Sequence, residues 1–160
     1  MAPHELEEAG TLAETLGMTE EIAGAVAQVA QDELDAGRPD PARVILEGLV
    51  VANPRAAGAW ALLARAHRAL GQPLAARFCA EVAGSLEPED AAFRLARAEG
   101  LLPFPEERAQ ARALLAEVAL SPCDAGERAR TLLRALGGPE DRGSRPVRSM
   151  NHPSNQRVEP

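Results

Sequence analysis

The stretches Ala36-Gly-Arg-Pro-Asp-Pro-Ala42 and Leu70-Gly-Gln-Pro-Leu-Ala-Ala76 share one pattern and lie 34 residues apart. In each, a glycine is followed two residues later by a proline and three residues after that by an alanine. Glycine can adopt the left-handed conformation that ends a helix, and proline has a φ suited to the first residue of the next helix. The pattern therefore predicts two helical hairpins with the same turn.

The repeat extends outward from these turns into two blocks, residues 23–56 and 57–90. Each block has an apolar first helix, a turn, a second helix and an exit proline, which is Pro54 in the first block and Pro88 in the second. A repeat of this length built from two helices indicates a solenoid, in which each unit buries its apolar face against its neighbours. The segment Trp60-Ala-Leu-Leu-Ala64 matches the tetratricopeptide pattern at its tryptophan, leucine and small positions.

A third block starts at Ala91 and is less regular. Its turn is Leu-Pro-Phe-Pro at 102–105, and we expect its second helix to run from Glu106 to about Leu120. A last helix from about Asp124 to Leu136 would cap the stack. The predicted fold is all-α, with three tetratricopeptide hairpins in a right-handed solenoid and a C-terminal capping helix.

The chain divides into three predicted regions. Residues 1–22 form an N-terminal helical segment, with Thr19 as a helix cap. Residues 23–137 form the repeat domain with its capping helix. Residues 138–160 are rich in proline, serine and arginine and have no apolar face, so we expect them to be a disordered tail.

Charge and composition exclude several functional classes. The net charge is −7; residues 1–56 contribute −8 and residues 57–160 contribute +1. A nucleic-acid-binding protein would need a basic stripe to displace counterions, so we expect no nucleic acid partner. No apolar run is long enough to cross a membrane, which predicts a cytoplasmic protein with no direct membrane insertion.

No residue pattern indicates catalysis. The sequence has no phosphate loop, no HExxH motif and no nucleophile elbow, so we expect no catalytic residue. Cys79 and Cys123 have no CxxC partner and no histidine at ligand spacing, which argues against a disulfide framework or a metal site. We therefore expect no cofactor and no metal.

The predicted binding surface is the inner face of the solenoid, which the first helix of each repeat lines. Its small apolar, polar and charged residues suit an extended peptide, because small side chains let the peptide backbone approach and polar ones satisfy its amides. The predicted groove residues are Ala27, Gln31 and Leu34 in the first repeat, Ala61, Arg65 and Arg68 in the second, and Leu95, Glu99 and Leu102 in the third.

From Thr11 to Leu102 the sequence also resembles the class II chaperones of bacterial type III secretion, which guard translocator proteins. The resemblance rests on the lead-in Leu12-Ala-Glu-Thr-Leu-Gly-Met-Thr-Glu-Glu21, on the first hairpin and on Ala98-Glu99-Gly-Leu-Leu102. It implies a cytoplasmic chaperone that binds a short segment of a translocator client in its concave groove, with a homodimer through the N-terminal helices as an open alternative.

Two other functional classes stay open at this stage. The first is a generic tetratricopeptide scaffold for protein–protein interaction in a multiprotein assembly. The second is an enzyme or a redox-active protein, for which the cysteines would be the reactive groups. A chaperone function predicts a client that is more soluble when the two proteins are produced together, whereas a scaffold does not.

Overall fold

The structure is a computed structural model, and it describes residues 11–137. All secondary structure in these residues is helical, which confirms the predicted all-α class. The helices are α1 Leu12–Thr15, α2 Glu20–Asp35, α3 Pro39–Ala52, α4 Ala57–Ala69, α5 Pro73–Leu86, α6 Ala91–Leu101, α7 Arg108–Val118 and α8 Asp124–Leu136, with a 3₁₀ helix at Pro105–Glu107 before α7. The hairpins are α2–α3, α4–α5 and α6–α7.

The first two hairpin turns have the same backbone geometry. Gly37 has φ 73° and Gly71 has φ 69°, which places both in the left-handed region that favours glycine. The N–H of the residue after each glycine donates back across the helix end, from Arg38 to the Glu33 carbonyl at 2.8 Å and from Gln72 to the His67 carbonyl at 2.9 Å. This pattern is a Schellman motif, and proline begins the next helix in both hairpins.

The third turn differs from the first two, as the sequence predicts. The 3₁₀ helix comes first, so α7 begins at Arg108 and not at Glu106, and it ends at Val118. Arg77 of α5 holds this turn in place. Its Nη1 lies 2.7 Å from Glu107 Oε1, and its guanidinium carbon lies 5.2 Å from the centroid of the Phe104 ring.

Small residues allow the helices to approach closely. One core cluster joins the first two hairpins through Leu46, Leu63 and several buried alanines. A second cluster joins the third hairpin to α8 through Ala98, Leu115, Val118 and Ala129. The chain has few aromatic residues, and its core is accordingly built mainly from alanine and leucine.

The N-terminal part of the described chain leads directly into the first hairpin. Thr19 caps α2, because its side chain accepts a hydrogen bond from the Ile22 N–H at 3.3 Å. The helix therefore includes residues 20–22, which the sequence assigned to the preceding segment. Residues 1–10 of that segment and the whole predicted tail, 138–160, lie outside the described residues.

The contacts between helices show which side of the stack is concave. Among the described helices, α2 contacts α4, α4 contacts α6 and α6 contacts α8, whereas α3, α5 and α7 make no comparable contacts with one another. The first helices of the hairpins are therefore closer together than the second helices. The stack curves with α2, α4, α6 and α8 on its inner side, and we call this surface the A-helix face.

Candidate functional site: the A-helix face

The predicted groove residues of the first hairpin lie at different depths. Ala27 and Gln31 of α2 are half-buried, and Ala27 packs against the first core cluster. Leu34 has only 8% of its surface exposed and is part of that cluster. Ala27 and Gln31 therefore contribute open surface, while Leu34 supports the groove from beneath.

An ion pair crosses from the first hairpin to the second. Arg65 Nη2 of α4 donates to Asp35 Oδ1 of α2 at 2.5 Å. Ala61, one helical turn before Arg65, is half-buried and occupies the same place in its repeat as Ala27 does in the first. Two alanines at equivalent positions leave room on adjacent helices for a backbone to approach.

A second charged group joins three helices of the A-helix face. Arg68 Nη1 of α4 lies 2.7 Å from Glu99 Oε2 of α6. Arg128 Nε of α8 donates to the other oxygen, Glu99 Oε1, at 3.1 Å. We call Arg68, Glu99 and Arg128 the charged cluster. It links the second hairpin, the third hairpin and the capping helix.

Leu95 and Leu102 lie on α6 and just after it, on the same side as Glu99. Both are half-buried and pack against the second core cluster. They therefore form the apolar border between the A-helix face and the core beneath α8.

Arg128 and Asp35 are parts of this surface that the sequence prediction did not include. Asp35 ends α2, and Arg128 lies on the capping helix, which belongs to no repeat block. The sequence contained one indication that a residue such as Arg128 was needed. Glu99 lies between Ala98 and Gly100 on a helix side shared with Leu95 and Leu102, and a carboxylate buried there requires a cationic partner.

The two aromatic residues of the second hairpin contact each other. The Trp60 indole Nε1 donates to the Pro54 carbonyl at 2.8 Å, and its ring meets Phe78 edge to face at 6.1 Å. Phe78 is on α5, a second helix of its hairpin. Trp60 therefore links the start of α4 to the segment that follows α3 and to α5.

The two cysteines differ in exposure. Cys79 has 3% of its surface exposed, and burial raises the pKa of its thiol to about 11. Cys123 precedes α8 and is exposed. A thiol with a raised pKa is a poor nucleophile at neutral pH, so Cys79 is suited to packing and not to redox chemistry. Across residues 11–137, histidine, cysteine and acidic side chains form no group suited to holding a metal ion.

No helix in the described part of the chain is both long and apolar enough to cross a membrane.

No protein family model matches the sequence, and no curated protein matches it either. Solved structures do match the fold. The type III secretion translocator chaperone SycD of Yersinia enterocolitica superposes with a TM-score of 0.69 and 20% sequence identity, over 79% of this chain and 98% of SycD. A type III secretion complex from Aeromonas hydrophila gives a TM-score of 0.71 and 22% identity, over 86% of this chain and 95% of the matched chain.

A third match is PcrH, whose structure was solved in complex with the chaperone binding region of PopD. It gives a TM-score of 0.60 and 21% identity, over 75% of this chain and 94% of PcrH. SycD has also been solved with a peptide of the translocator YopD. The resemblance seen in the sequence is thus confirmed for the fold, which this chain shares over nearly the full length of these chaperones.

Proposed function

We propose that this protein is a cytoplasmic chaperone that binds an extended segment of a translocator-type client along its A-helix face and keeps the client soluble before type III export. The observation that carries the proposal is the shared fold with SycD and PcrH, over 98% and 94% of their lengths. Both of those chaperones have been solved with a bound translocator segment. We assign the client segment to the A-helix face because this is the concave side of the stack.

The geometry of the A-helix face suits an extended ligand. Ala27 and Ala61 leave space on adjacent helices, so a client backbone can come close to α2 and α4. The Gln31 amide and the Arg65 guanidinium, which pairs with Asp35 on the same helix as Gln31, can donate to backbone carbonyls that the client buries on binding. Burial of the client's apolar side chains would then remove from water the surface that drives its aggregation.

This function requires no chemical step. The chaperone acts by binding the unassembled client more tightly than clients bind one another, and release at the export machinery completes the cycle. No cofactor or metal enters this scheme, and neither cysteine has a part in it. We accordingly propose that the protein is not an enzyme.

A homodimer fits the same proposal. SycD has been described with an alternative dimer. In this chain the segment from α1 to the middle of α2 exposes four large apolar residues, each with 47% to 65% of its surface: Leu12, Leu16, Ile22 and Val29. These residues would be covered in a dimer formed through the N-terminal helices.

A scaffold function is the second candidate, and one observation favours it. The second helices of the first two hairpins expose Val44, Val51, Leu74 and Phe78, each at 59% or more. These residues lie on the opposite side of the stack from the A-helix face. A scaffold would use that convex side to hold a folded partner, whereas the chaperone function uses the concave side.

The test is co-production of this protein with a candidate translocator, a protein with two long hydrophobic segments. We expect the soluble fraction of the translocator to rise with the wild-type chaperone and to fall again with Ala61→Glu, which fills the space on the A-helix face with a charged side chain. The matched control is Ala69→Glu, since Ala69 is exposed at the end of the same helix. Circular dichroism would confirm that both variants keep their helicity.

The outcomes separate the two candidates. An unchanged soluble fraction with the wild-type protein contradicts the chaperone function. Equal effects of Ala61→Glu and Ala69→Glu would mean that the client binds elsewhere. A Phe78→Ser variant that lost a partner while Ala61→Glu retained it would favour the scaffold.

A further inference from the structure

The charged cluster contains more positive than negative charge. Two guanidinium groups, from Arg68 and Arg128, share the single carboxylate of Glu99, and each of its oxygens faces one arginine. The cluster therefore has a net charge of +1 on the inner side of the stack. Arg65 provides the contrast on the same face, because its charge is balanced by Asp35.

The two arginines of the charged cluster have N–H groups that Glu99 does not use. A guanidinium has five N–H groups, and within residues 11–137 the only side-chain partner of Arg68 and of Arg128 is Glu99. The Arg68 side chain is 35% exposed and that of Arg128 is 59% exposed, whereas that of Glu99 is only 10% exposed. The carboxylate thus lies at the base, and both arginine side chains remain partly open to solvent.

Glu99 also fixes where those donors lie. Its two oxygens are part of one planar group, so the two guanidinium groups that contact them are held beside each other although they come from different helices. Arginine side chains are otherwise flexible, and holding them in advance lowers the entropy lost when a ligand binds. Both guanidinium groups of the charged cluster are therefore preorganised for a ligand.

We propose that the charged cluster is a subsite for a carboxylate side chain, an aspartate or glutamate within the extended segment that binds the A-helix face. An incoming carboxylate would neutralise the residual charge of the cluster and accept charge-assisted hydrogen bonds from both arginines. Arg68 follows Ala61 by seven residues on α4, which is about 10 Å along the helix. The subsite rests on the proposed function, and it adds a selection for acidic segments to the small, apolar and amide groups of the groove.

The first step of the test needs no knowledge of the client. A library of random dodecapeptides is selected on the immobilised full-length protein, and bound peptides are sequenced. We expect an aspartate or glutamate to be enriched at one fixed distance from the apolar positions. The same selection on Arg128→Gln should lose this enrichment, while Arg134→Gln, an exposed arginine on the same helix, should retain it.

The second step measures affinity with matched peptides. A selected peptide and its Glu→Gln or Asp→Asn counterpart, both with amidated C-termini, are titrated by fluorescence anisotropy. For the wild-type protein we expect the acidic peptide to bind roughly tenfold more tightly than its amide counterpart. For Arg68→Gln and Arg128→Gln the two peptides should bind alike, and for Arg134→Gln the difference should persist.

The outcomes distinguish failure of the subsite from failure of the proposed function. Selection of peptides without an acidic position, or an undiminished preference in both Arg68→Gln and Arg128→Gln, overturns the subsite and leaves groove binding intact. Selection of no peptide at all contradicts both. A preference that appears only when the peptide C-terminus is free would assign the cluster to a terminal carboxylate, which also overturns the proposal for a side chain.

Discussion

Arg68 and Glu99 join the second hairpin to the third, with 2.7 Å between Nη1 and Oε2. Glu99 is 9% exposed, the one buried charged residue in the described part of the chain. A carboxylate at such a site is stable because both of its oxygens meet an arginine. The contact therefore contributes to the stability of the stack as well as to the charge of its inner surface.

The first prediction concerns the loss of this carboxylate. Glu99→Gln keeps the shape of the side chain, but it leaves Arg68 and Arg128 close together without their shared anion. We expect the free energy of unfolding to fall by about 1–2 kcal/mol, because a buried partner is lost and two like charges remain. Urea unfolding followed by circular dichroism measures the change.

Glu81→Gln is the matched control for that variant. Glu81 pairs with Arg97 at 2.8 Å, but both side chains are more than a third exposed. Its loss should cost less than about 1 kcal/mol, as is usual for an exposed ion pair. Equal effects of the two substitutions would show that burial of Glu99 adds nothing to stability.

The second prediction tests the glycines of the repeated turn. Gly37→Ala and Gly71→Ala place a side chain at a positive φ, and we expect each to lower the free energy of unfolding by about 1 kcal/mol. Neither site has a neighbouring atom within 4 Å of the added Cβ, so the cost comes from the backbone and not from a clash. Urea unfolding of the single variants measures it.

Gly48 and Gly58 are controls for the same substitution. Both lie within helices, are exposed and have open space around an added Cβ. Gly48→Ala and Gly58→Ala should raise stability by about 0.5–1 kcal/mol, because alanine has the higher helix propensity. A loss of stability at these sites comparable to that at Gly37 and Gly71 would contradict the backbone explanation.

The fold was predictable from the sequence where local chemistry repeats. Gly37 with Pro39 and Gly71 with Pro73 specify their turns through backbone preferences alone, and the structure has the predicted hairpins there. The 3₁₀ helix at Pro105–Glu107 was missed. Its geometry depends on Arg77, which is distant in sequence and contacts both Glu107 and Phe104.

The candidate site was less predictable than the fold, for a related reason. Helical spacing places Ala61, Arg65 and Arg68 on one side of α4, but spacing cannot tell which residue is covered by a neighbouring helix. The sequence therefore treated Leu34 and Glu99 as open groove residues, and both are buried in the structure. Arg128 was omitted because only the packing of α8 against α6 brings it to Glu99.

The third prediction concerns alkaline pH. The Cys79 thiol has its pKa raised to about 11 in the folded protein, from an ordinary value of 9. The unfolded chain therefore releases the proton first as the pH rises, and the folded state is disfavoured. We expect stability to be constant below about pH 9 and to fall by roughly 1–2 kcal/mol between pH 9 and 11.

The composition of the chain makes it simple to assign an alkaline loss of stability to Cys79. The chain contains no lysine and no tyrosine, the other side chains whose ordinary pKa values lie in this range. In urea unfolding at a series of pH values, Cys79→Ala should remove most of the alkaline decline, while Cys123→Ala should preserve it. A decline that survives in Cys79→Ala would mean that burial of this thiol is not its cause.

The fourth prediction tests how the capping helix is held. A Cβ on Gly126 would lie 2.0 Å from the Ser121 carbonyl oxygen and 3.1 Å from that of Val118, and both are backbone atoms that cannot rotate away. Gly126→Ala should therefore displace α8, with a loss of about 2 kcal/mol or more. Hydrogen exchange should show reduced protection of α8 while α2 to α5 remain protected. Gly24→Ala, at an exposed and open site on α2, should leave all helices protected.

Displacement of α8 would also separate Arg128 from Glu99. The Gly126→Ala variant therefore also tests whether the position of α8 affects peptide binding. Gly126→Ala should reduce the preference for acidic peptides as Arg128→Gln does, although it changes no charge. Unaltered protection of α8 would show that the loop before it can yield without cost, and Gly126 would then not be required for the position of Arg128. Lost protection with an unchanged preference would instead show that Arg68 alone supplies the donors, since the second guanidinium would have moved away.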